Sequence, residues 1–292
     1  MLTICYTSLA RIIAQLPEGA PTVNDLELAI IGTVHSTVRD RRLMPVQGVD
    51  AEIEIYPAYV DGLLLIQENT HIIVVGWFED ADRQRLQIIR TTYEPARRRR
   101  GVFGVRSTTR PNPLAIKVCR LLSVEGNTLR VEGLDFIDGT SIVDIRRYSP
   151  SWDCVFSARS SRDQYLLDKS DPSWLNEMES EAANFHGEHC LDILAGVRLV
   201  QFVALNWNIM PKDPELHVAI PLTPACLHIA DAVQALTAAT FGAGRLSIES
   251  EGKFVFRYRD RTIAAEPLEL STLSENDLRT LPLFSLFSIS PS

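Results

Sequence analysis

The sequence predicts two domains, an N-terminal all-β barrel over residues 28–156 and a C-terminal α+β domain over residues 172–292. The first region holds about six or seven short apolar or alternating segments with turns at roughly 8–12-residue spacing, which favours a mostly antiparallel barrel. The second holds apolar segments of helical length between shorter strand-like segments, which favours an α+β domain. Residues 157–171 are polar and aperiodic, so they are predicted to be a linker. Residues 1–27 are predicted to be an N-terminal extension with a short amphipathic helix.

Hydrophobic alternation, β-branched runs and turn residues position the individual elements. The predicted barrel strands span residues 28–33, 51–55, 71–78, 85–92, 115–122, 128–133 and 141–148. A short helix is expected over 59–65. In the second domain we predict helices over 174–185, 193–207 and 230–240 and a strand over 216–222. A hairpin is predicted from residues 245–249 and 254–259, turning at Gly252 and Lys253.

Length and composition restrict the class of protein. A chain of 292 residues with 46% hydrophobic residues has enough apolar material for two cores. No apolar run reaches the roughly 18 residues that a membrane span needs, so we expect no membrane association. The 5 cysteines are scattered and odd in number, which favours the reducing cytoplasm.

Residues 97–113 form a cationic loop with the sequence RRRRGVFGVRSTTRPNP. Pro111 and Pro113 fix their own φ and bias Arg110 and Asn112 toward extended backbone. A stiff loop with this many arginines suits an anionic ligand. From composition alone, a solvated basic turn between two strands is an equally good interpretation.

Carboxylates follow in the segment LDFIDGTSIVDIRRY, residues 134–148. Asp135, Asp138 and Asp144 could ligate a metal or accept hydrogen bonds from ribose hydroxyls. Alternatively, Asp138 belongs to a plain Asp-Gly turn and Asp144 is an exposed strand residue.

The motifs GVFGVRSTTRPNPLAIKV and LDFIDGTSIVDIRRY, with IGTVHS at residues 31–36, resemble the TsaA/TrmO family over residues 28–155. The resemblance implies an all-β barrel that binds S-adenosylmethionine and usually forms a homodimer. It also implies an enzyme that methylates N6 of threonylcarbamoyladenosine beside the anticodon, so the tRNA anticodon loop is the expected partner. The four arginines at residues 97–100 are the candidate contact to tRNA phosphates.

By position, the resemblance also implies cofactor contacts, but it assigns no catalytic residue. These are Pro45, Val46, Gln47, Phe78, Glu79, Arg106, Arg110, Asn112, Ile116, Leu134, Asp135 and Asp138. The chain departs from the family pattern at Val46, where the family has arginine, and at Glu79, where histidine is common.

Metal-capable side chains cluster in NFHGEHC at residues 184–190, where His186, His189 and Cys190 lie within five residues. A zinc or iron site needs a further ligand, which Cys226 or His228 could supply. Residues 172–262 resemble the FmdE-like domain associated with formylmethanofuran dehydrogenase. The resemblance indicates His186, Cys190 and His228 as the metal ligands, and a degenerate domain kept for packing or dimerisation as the alternative.

Two functions from different classes follow. The first is an S-adenosylmethionine-dependent tRNA methyltransferase with the FmdE-like domain as an accessory. The alternative is a metal-binding or redox accessory protein of one-carbon (formylmethanofuran-type) metabolism, in which the barrel only binds a nucleotide-like ligand.

Overall fold

The computed structural model describes residues 27–45, 47–89, 99–156, 158 and 172–291. These residues belong to two compact units, the first ending at Cys154 and the second beginning at Val155. The predicted N-terminal helix, Val46 and nearly all of the predicted linker lie outside the described residues.

The first unit contains eight strands within its described part. In chain order they are β1 (Gly32–Ser36), β2 (Val49–Ile55), β3 (His71–Trp77), β4 (Gln87–Ile89), β5 (Arg99–Gly101), β6 (Leu114–Glu125), β7 (Thr128–Leu134) and β8 (Ser141–Arg147). Six of them close into a barrel in the order β1-β2-β7-β6-β3-β8, and all neighbouring pairs are antiparallel. This confirms the predicted all-β barrel. Strands β4 and β5 form a separate two-stranded sheet, so the prediction of a barrel strand over 85–92 is wrong: among the described strands, the one found there, β4, pairs only with β5.

Along each barrel strand, side chains that point into the barrel alternate with side chains that point outward, because successive side chains point to opposite faces of a sheet. In β2, Ala51, Ile53 and Ile55 are buried, whereas Glu52 between them is exposed. Fully burying an aliphatic side chain contributes roughly 1.5–3 kcal/mol, so this inward row is a main source of barrel stability.

The first strand begins later than predicted, at Gly32 rather than at residue 28. Leu28 and Ile30 are 46% and 43% exposed, so the apolar run that suggested an earlier start is not core. The short helix expected over 59–65 is a 3-10 helix, Pro57–Leu63, with proline in its first turn, where a fixed φ is tolerated.

The second unit has α+β composition, as predicted. A short helix α1 (Pro150–Asp153) still belongs to the first unit. The elements of the second unit are α2 (Pro172–His186), α3 (Leu191–Trp207), β9 (Leu216–Pro221), α4 (Leu227–Thr237), β10 (Leu246–Glu249), β11 (Phe254–Tyr258), β12 (Arg261–Pro267), α5 (Glu275–Thr280) and β13 (Phe287–Pro291). The strands form one sheet in the order β10-β9-β11-β12-β13.

The predicted hairpin of residues 245–249 and 254–259 is wrong. Both segments are strands, but β9 lies between them, parallel to β10 and antiparallel to β11. Parallel neighbours need a crossover connection, and α4 supplies it between β9 and β10. The hairpin partner of β11 is β12, a strand that was not predicted.

Helices α2, α3 and α4 pack together, and α3 approaches α4 closely at Gly196. A Cβ added to Gly196 would lie 2.7 Å from Cβ of Ala232, so a larger residue would push the two helices apart. Among the described residues, no helix is both long enough and apolar enough to cross a bilayer.

Candidate functional site

Most of the predicted cofactor residues lie at one end of the barrel, which we call the rim. At the rim β1, β3 and β7 end and β2, β6 and β8 begin, as the pairs Val49–Leu134, Trp77–Leu114 and Trp77–Ser141 indicate. The antiparallel order brings segments far apart in sequence to the same end.

The turn at residues 45–48 packs on the end of β7. The Gly48 amide donates to the Pro45 carbonyl at 3.0 Å. Gly48 has φ +85°, and a Cβ added there would lie 2.5 Å from the Gly133 oxygen. Gly133 has φ +78° and faces the Gln47 carbonyl in turn. Since only glycine adopts this backbone readily, the pair sets Gln47 beside Leu134 and Asp135.

The end of β3 joins two further loops. The Phe78 amide donates to the Pro113 carbonyl at 3.1 Å, and the Phe78 ring meets the buried Phe136 ring edge-on at 5.6 Å. Exposed Glu79 accepts a hydrogen bond from the Ser141 hydroxyl at 3.2 Å. Phe78 therefore connects two loops, the arginine-proline loop of residues 105–113 and the aspartate loop of residues 135–140.

Within the arginine-proline loop, the two predicted arginines differ. Arg110 donates from Nε to the Ser107 carbonyl at 3.0 Å and from Nη2 to the Val105 carbonyl at 2.5 Å. Arg110 therefore shapes the loop, whereas the Arg106 and Asn112 side chains are exposed.

Arg83 was not predicted, yet it fixes the same loop. Its side chain is buried, its Nε donates to the Pro111 carbonyl at 2.6 Å, and its guanidinium lies 5.6 Å from the Trp77 ring centroid. Burial lowers the pKa of the Arg83 guanidinium. Arg83 and Arg85 both lie in the polar segment DADRQR, and nothing in that segment indicates which of the two is buried.

The aspartates also divide by role. Asp138 accepts from the Ser36 amide at 3.1 Å and pairs with Arg39 at 3.2 Å, so it ties the aspartate loop to the end of β1. The Asp135 side chain is 41% exposed, with Lys117 at 3.8 Å. Asp144 pairs with Arg146 at 2.6 Å within β8, away from the rim. Of the three aspartates, Asp135 is thus the one that lies at the rim without a close ion pair.

Two of the predicted cofactor residues, Leu134 and Ile116, do not present an exposed polar side chain at the rim. Leu134 is fully buried, so only its backbone could contact a ligand. Ile116 lies on the outer face of β6, opposite Val75, and is 56% exposed. Leu114, Val118 and Leu122 on the same strand are 39%, 40% and 44% exposed, so this face carries an apolar patch beside the exposed Arg120.

The second unit brings together the three predicted metal ligands. The ligand atoms of His186, Cys190 and His228 all lie within 4.8 Å of one another. Cys226, the alternative ligand, is buried and is not in this group. His189 lies instead 3.7 Å from Glu179.

Helix ends position the three ligands. His186 ends α2, Cys190 is the N-cap residue of α3, and His228 lies in the first turn of α4. Gly187, with φ +103°, allows the chain to turn between the first two. Cys190 Sγ lies 3.5 Å from His228 Nδ1, and the two imidazole centroids are 4.6 Å apart. Imidazole and thiolate are donors that zinc and iron accept, so this set fits either metal.

Asp231 supports this cluster, although it was not among the predicted metal ligands. Its Oδ2 lies 2.8 Å from Nδ1 of His186. The spacing of three residues between His228 and Asp231 puts both on one face of α4, a signal that the sequence does contain.

The chain contains a closed antiparallel barrel, whose rim is built from loops, and an α+β unit that carries a His/Cys cluster. These features are typical of a two-domain protein that binds a ligand or catalyses a reaction. Comparison with known proteins specifies the class. Residues 33–154 match the tRNA-methyltransferase O N-terminal domain, and residues 185–279 match the model described as "FmdE, Molybdenum formylmethanofuran dehydrogenase operon".

Three curated relatives agree with this. A "Probable S-adenosyl-L-methionine-binding protein" of Archaeoglobus fulgidus is 33% identical over 78% of this chain, and the match spans 62% of that protein. An "S-adenosyl-L-methionine-binding protein" of the same organism is 41% identical over 43% of this chain and 91% of its own length. The "Putative S-adenosylmethionine-dependent methyltransferase RcsF" of Pseudomonas aeruginosa is 31% identical over 63% of this chain and 79% of its own length.

The chain therefore belongs to the tRNA-methyltransferase O N-terminal domain family, whose members include S-adenosylmethionine-binding proteins and methyltransferases. Among solved structures, a crystal structure of TrmO from Pseudomonas aeruginosa aligns over 85% of this chain and 93% of that one, with 19% identity and a TM-score of 0.41.

Proposed function

We propose that this protein is an S-adenosylmethionine-dependent tRNA methyltransferase that acts on N6 of threonylcarbamoyladenosine beside the anticodon. The observation that carries the proposal is the meeting of four separate segments at the rim. The turn at residues 45–48 packs on the end of β7, and Phe78 contacts both Pro113 and Phe136.

The rim offers the groups that this cofactor requires. The Asp135 and Glu79 carboxylates suit ribose hydroxyls and the positive sulfonium, and the exposed Arg106 guanidinium suits a carboxylate, which it can bind with two parallel hydrogen bonds. Bound S-adenosylmethionine supplies the methyl group. The protein's part is to hold the acceptor nitrogen in line with it, since orientation lowers the barrier of such a transfer.

The proposed substrate suits an open rim, because a base in a single-stranded loop can be splayed into a site without melting a duplex. Arg99 and Arg100 lie on the β4–β5 sheet, where they are candidates for phosphate contacts. Arg97 and Arg98 lie outside the described residues. A cytoplasmic location accords with a tRNA substrate.

We further propose that the protein acts as a homodimer that buries the outer face of β6. Leu114, Ile116, Val118 and Leu122 face outward there, and Trp77, Val75 and Ile73 lie opposite the first three on β3. Exposed Arg120 bounds this apolar patch along β6, and an apolar patch of this kind is typical of an interaction site. Sedimentation of wild type and Ile116→Glu tests this: the variant is expected to be monomeric at concentrations where wild type is a dimer.

In the C-terminal domain, His186, Cys190 and His228 would hold zinc or iron. This cluster also favours the second candidate function, a metal-binding or redox accessory protein of one-carbon metabolism. In that case the barrel would bind a nucleotide-like ligand without transferring a methyl group.

Calorimetry with S-adenosylmethionine and mass analysis of tRNA nucleosides from cells lacking the protein distinguish the two functions. We expect cofactor binding and a loss of methylated threonylcarbamoyladenosine. Asp135→Asn should weaken cofactor binding about tenfold, whereas Asp144→Asn, a matched change away from the rim, should not. An unchanged nucleoside profile would contradict the methyltransferase proposal.

A further inference from the structure

The metal cluster of the second unit contains three ligands, and Asp231, His189 and Cys226 nearby are not among them. Asp231 is bonded to His186 Nδ1, which leaves Nε2 of that ring to face a metal. His189 lies beside Glu179, and Cys226 is buried outside the group. Within the described part of the chain, no fourth side chain therefore joins the cluster.

A metal held by three protein ligands keeps a coordination position for a ligand that is not part of the protein. Structural zinc sites use four protein ligands, whereas catalytic sites use three and keep one position for water or substrate. Carboxylate–histidine pairs such as Asp231–His186 orient the ring and raise its basicity at sites of both kinds. The ligand count is thus the feature that separates an open site from a closed one.

The accessibility and the charge of the cluster also favour an open site. His228 is exposed, and His186 and Cys190 are only partly buried, so small molecules can reach the cluster. Two neutral imidazoles and one thiolate leave a divalent ion with one positive charge, which an anionic fourth donor would neutralise.

We propose that the His186–Cys190–His228 site is an open metal site that binds a small anionic ligand, carrying an oxygen or sulfur donor, in its fourth position. This inference rests on the metal site proposed above. It gives the C-terminal domain a ligand-binding role of its own, separate from that of the barrel.

Cobalt substitution of the full-length protein tests the proposal, because Co²⁺ replaces zinc and its visible absorption reports the ligand set. Acetate and 2-mercaptoethanol are titrated into the cobalt protein as oxygen-donor and sulfur-donor probes. We expect the visible bands to shift saturably with at least one probe. A strong Co²⁺ spectrum that neither probe changes would overturn the open site while leaving the metal site intact.

Histidine variants separate this result from failure of the metal site itself. His228→Ala should abolish the probe-dependent shift, whereas His217→Ala, at an exposed position on β9, should leave it unchanged. If wild type binds no Co²⁺, the proposed metal site and the open position fall together. If His228→Ala retains the shift, the ligand assignment is wrong.

Discussion

The Arg83 Nε atom lies 2.6 Å from the Pro111 carbonyl oxygen, so a buried guanidinium anchors the loop that ends in Arg110–Pro113. The contact makes loop position depend on a residue outside both sequence motifs.

Replacing Arg83 with leucine should therefore loosen the rim. The Pro111 carbonyl loses its donor, and hydrogen bonds to charged groups contribute about 1.5–3 kcal/mol. We expect the free energy of unfolding, measured by urea denaturation, to fall by about 2 kcal/mol, and the Kd for S-adenosylmethionine to rise about tenfold. Arg85→Leu, which removes an exposed arginine paired with Asp82, should change either quantity little. Equal effects of the two substitutions would contradict the anchoring role.

Gly48→Ala should be costly for two reasons. Its φ of +85° disfavours alanine, and the added Cβ would lie 2.5 Å from the Gly133 oxygen. We expect a loss of about 2–3 kcal/mol in thermal or urea unfolding. Gly126→Ala isolates the backbone term, because Gly126 has φ +62° but no atom within 4 Å of the added Cβ. A Gly48 variant no less stable than the Gly126 variant would show that the turn does not pack on β7.

Asp231→Asn should lower metal affinity without removing a ligand. An asparagine amide can reverse and no longer favours a single tautomer of His186, and such outer carboxylates affect metal affinity about 10–100-fold. Competition with a zinc-binding dye measures the Kd. Asp260→Asn, in the exposed turn between β11 and β12, is the matched control and should bind zinc like wild type.

Cysteine alkylation offers a check on site accessibility. Burial raises the pKa of the Cys119 thiol to about 12, so it stays neutral at pH 8 and should not react with iodoacetamide. Cys226 is also buried, whereas Cys154 is exposed and Cys190 is partly exposed. We expect mass spectrometry to find Cys154 and Cys190 labelled, and added zinc to protect Cys190 alone. Equal labelling of Cys190 with and without zinc would argue against its role as a ligand.

Much of the barrel was predictable, because alternation and turn residues report directly on strands that are buried on one face. The β2 and β3 strands begin or end within two residues of their predicted bounds. Pairing in the second sheet was not predictable in the same way. The segment 245–249 is separated from residues 254–259 by a turn-like Gly252, which favours a hairpin locally, yet tertiary packing inserts β9 between them.

The candidate site shows the same limit. Residue types and spacing pointed to His186 and Cys190, because both ligands lie in one short motif. His228 came from the resemblance to the FmdE-like domain, and in the structure its ligand atom lies near those of His186 and Cys190, whereas Cys226 is buried outside this group. Arg83 could not be found from sequence, because its role depends on a carbonyl 28 positions away.

The barrel's closure also has a consequence for synthesis. Strands β1 and β8 are hydrogen-bonded neighbours, although they are the first and last strands of the ring. Until residue 147 has left the ribosome, a nascent chain presents two unpaired strand edges, and such edges are sites of aggregation. The barrel should therefore gain its protection from proteolysis in a single late step, rather than strand by strand.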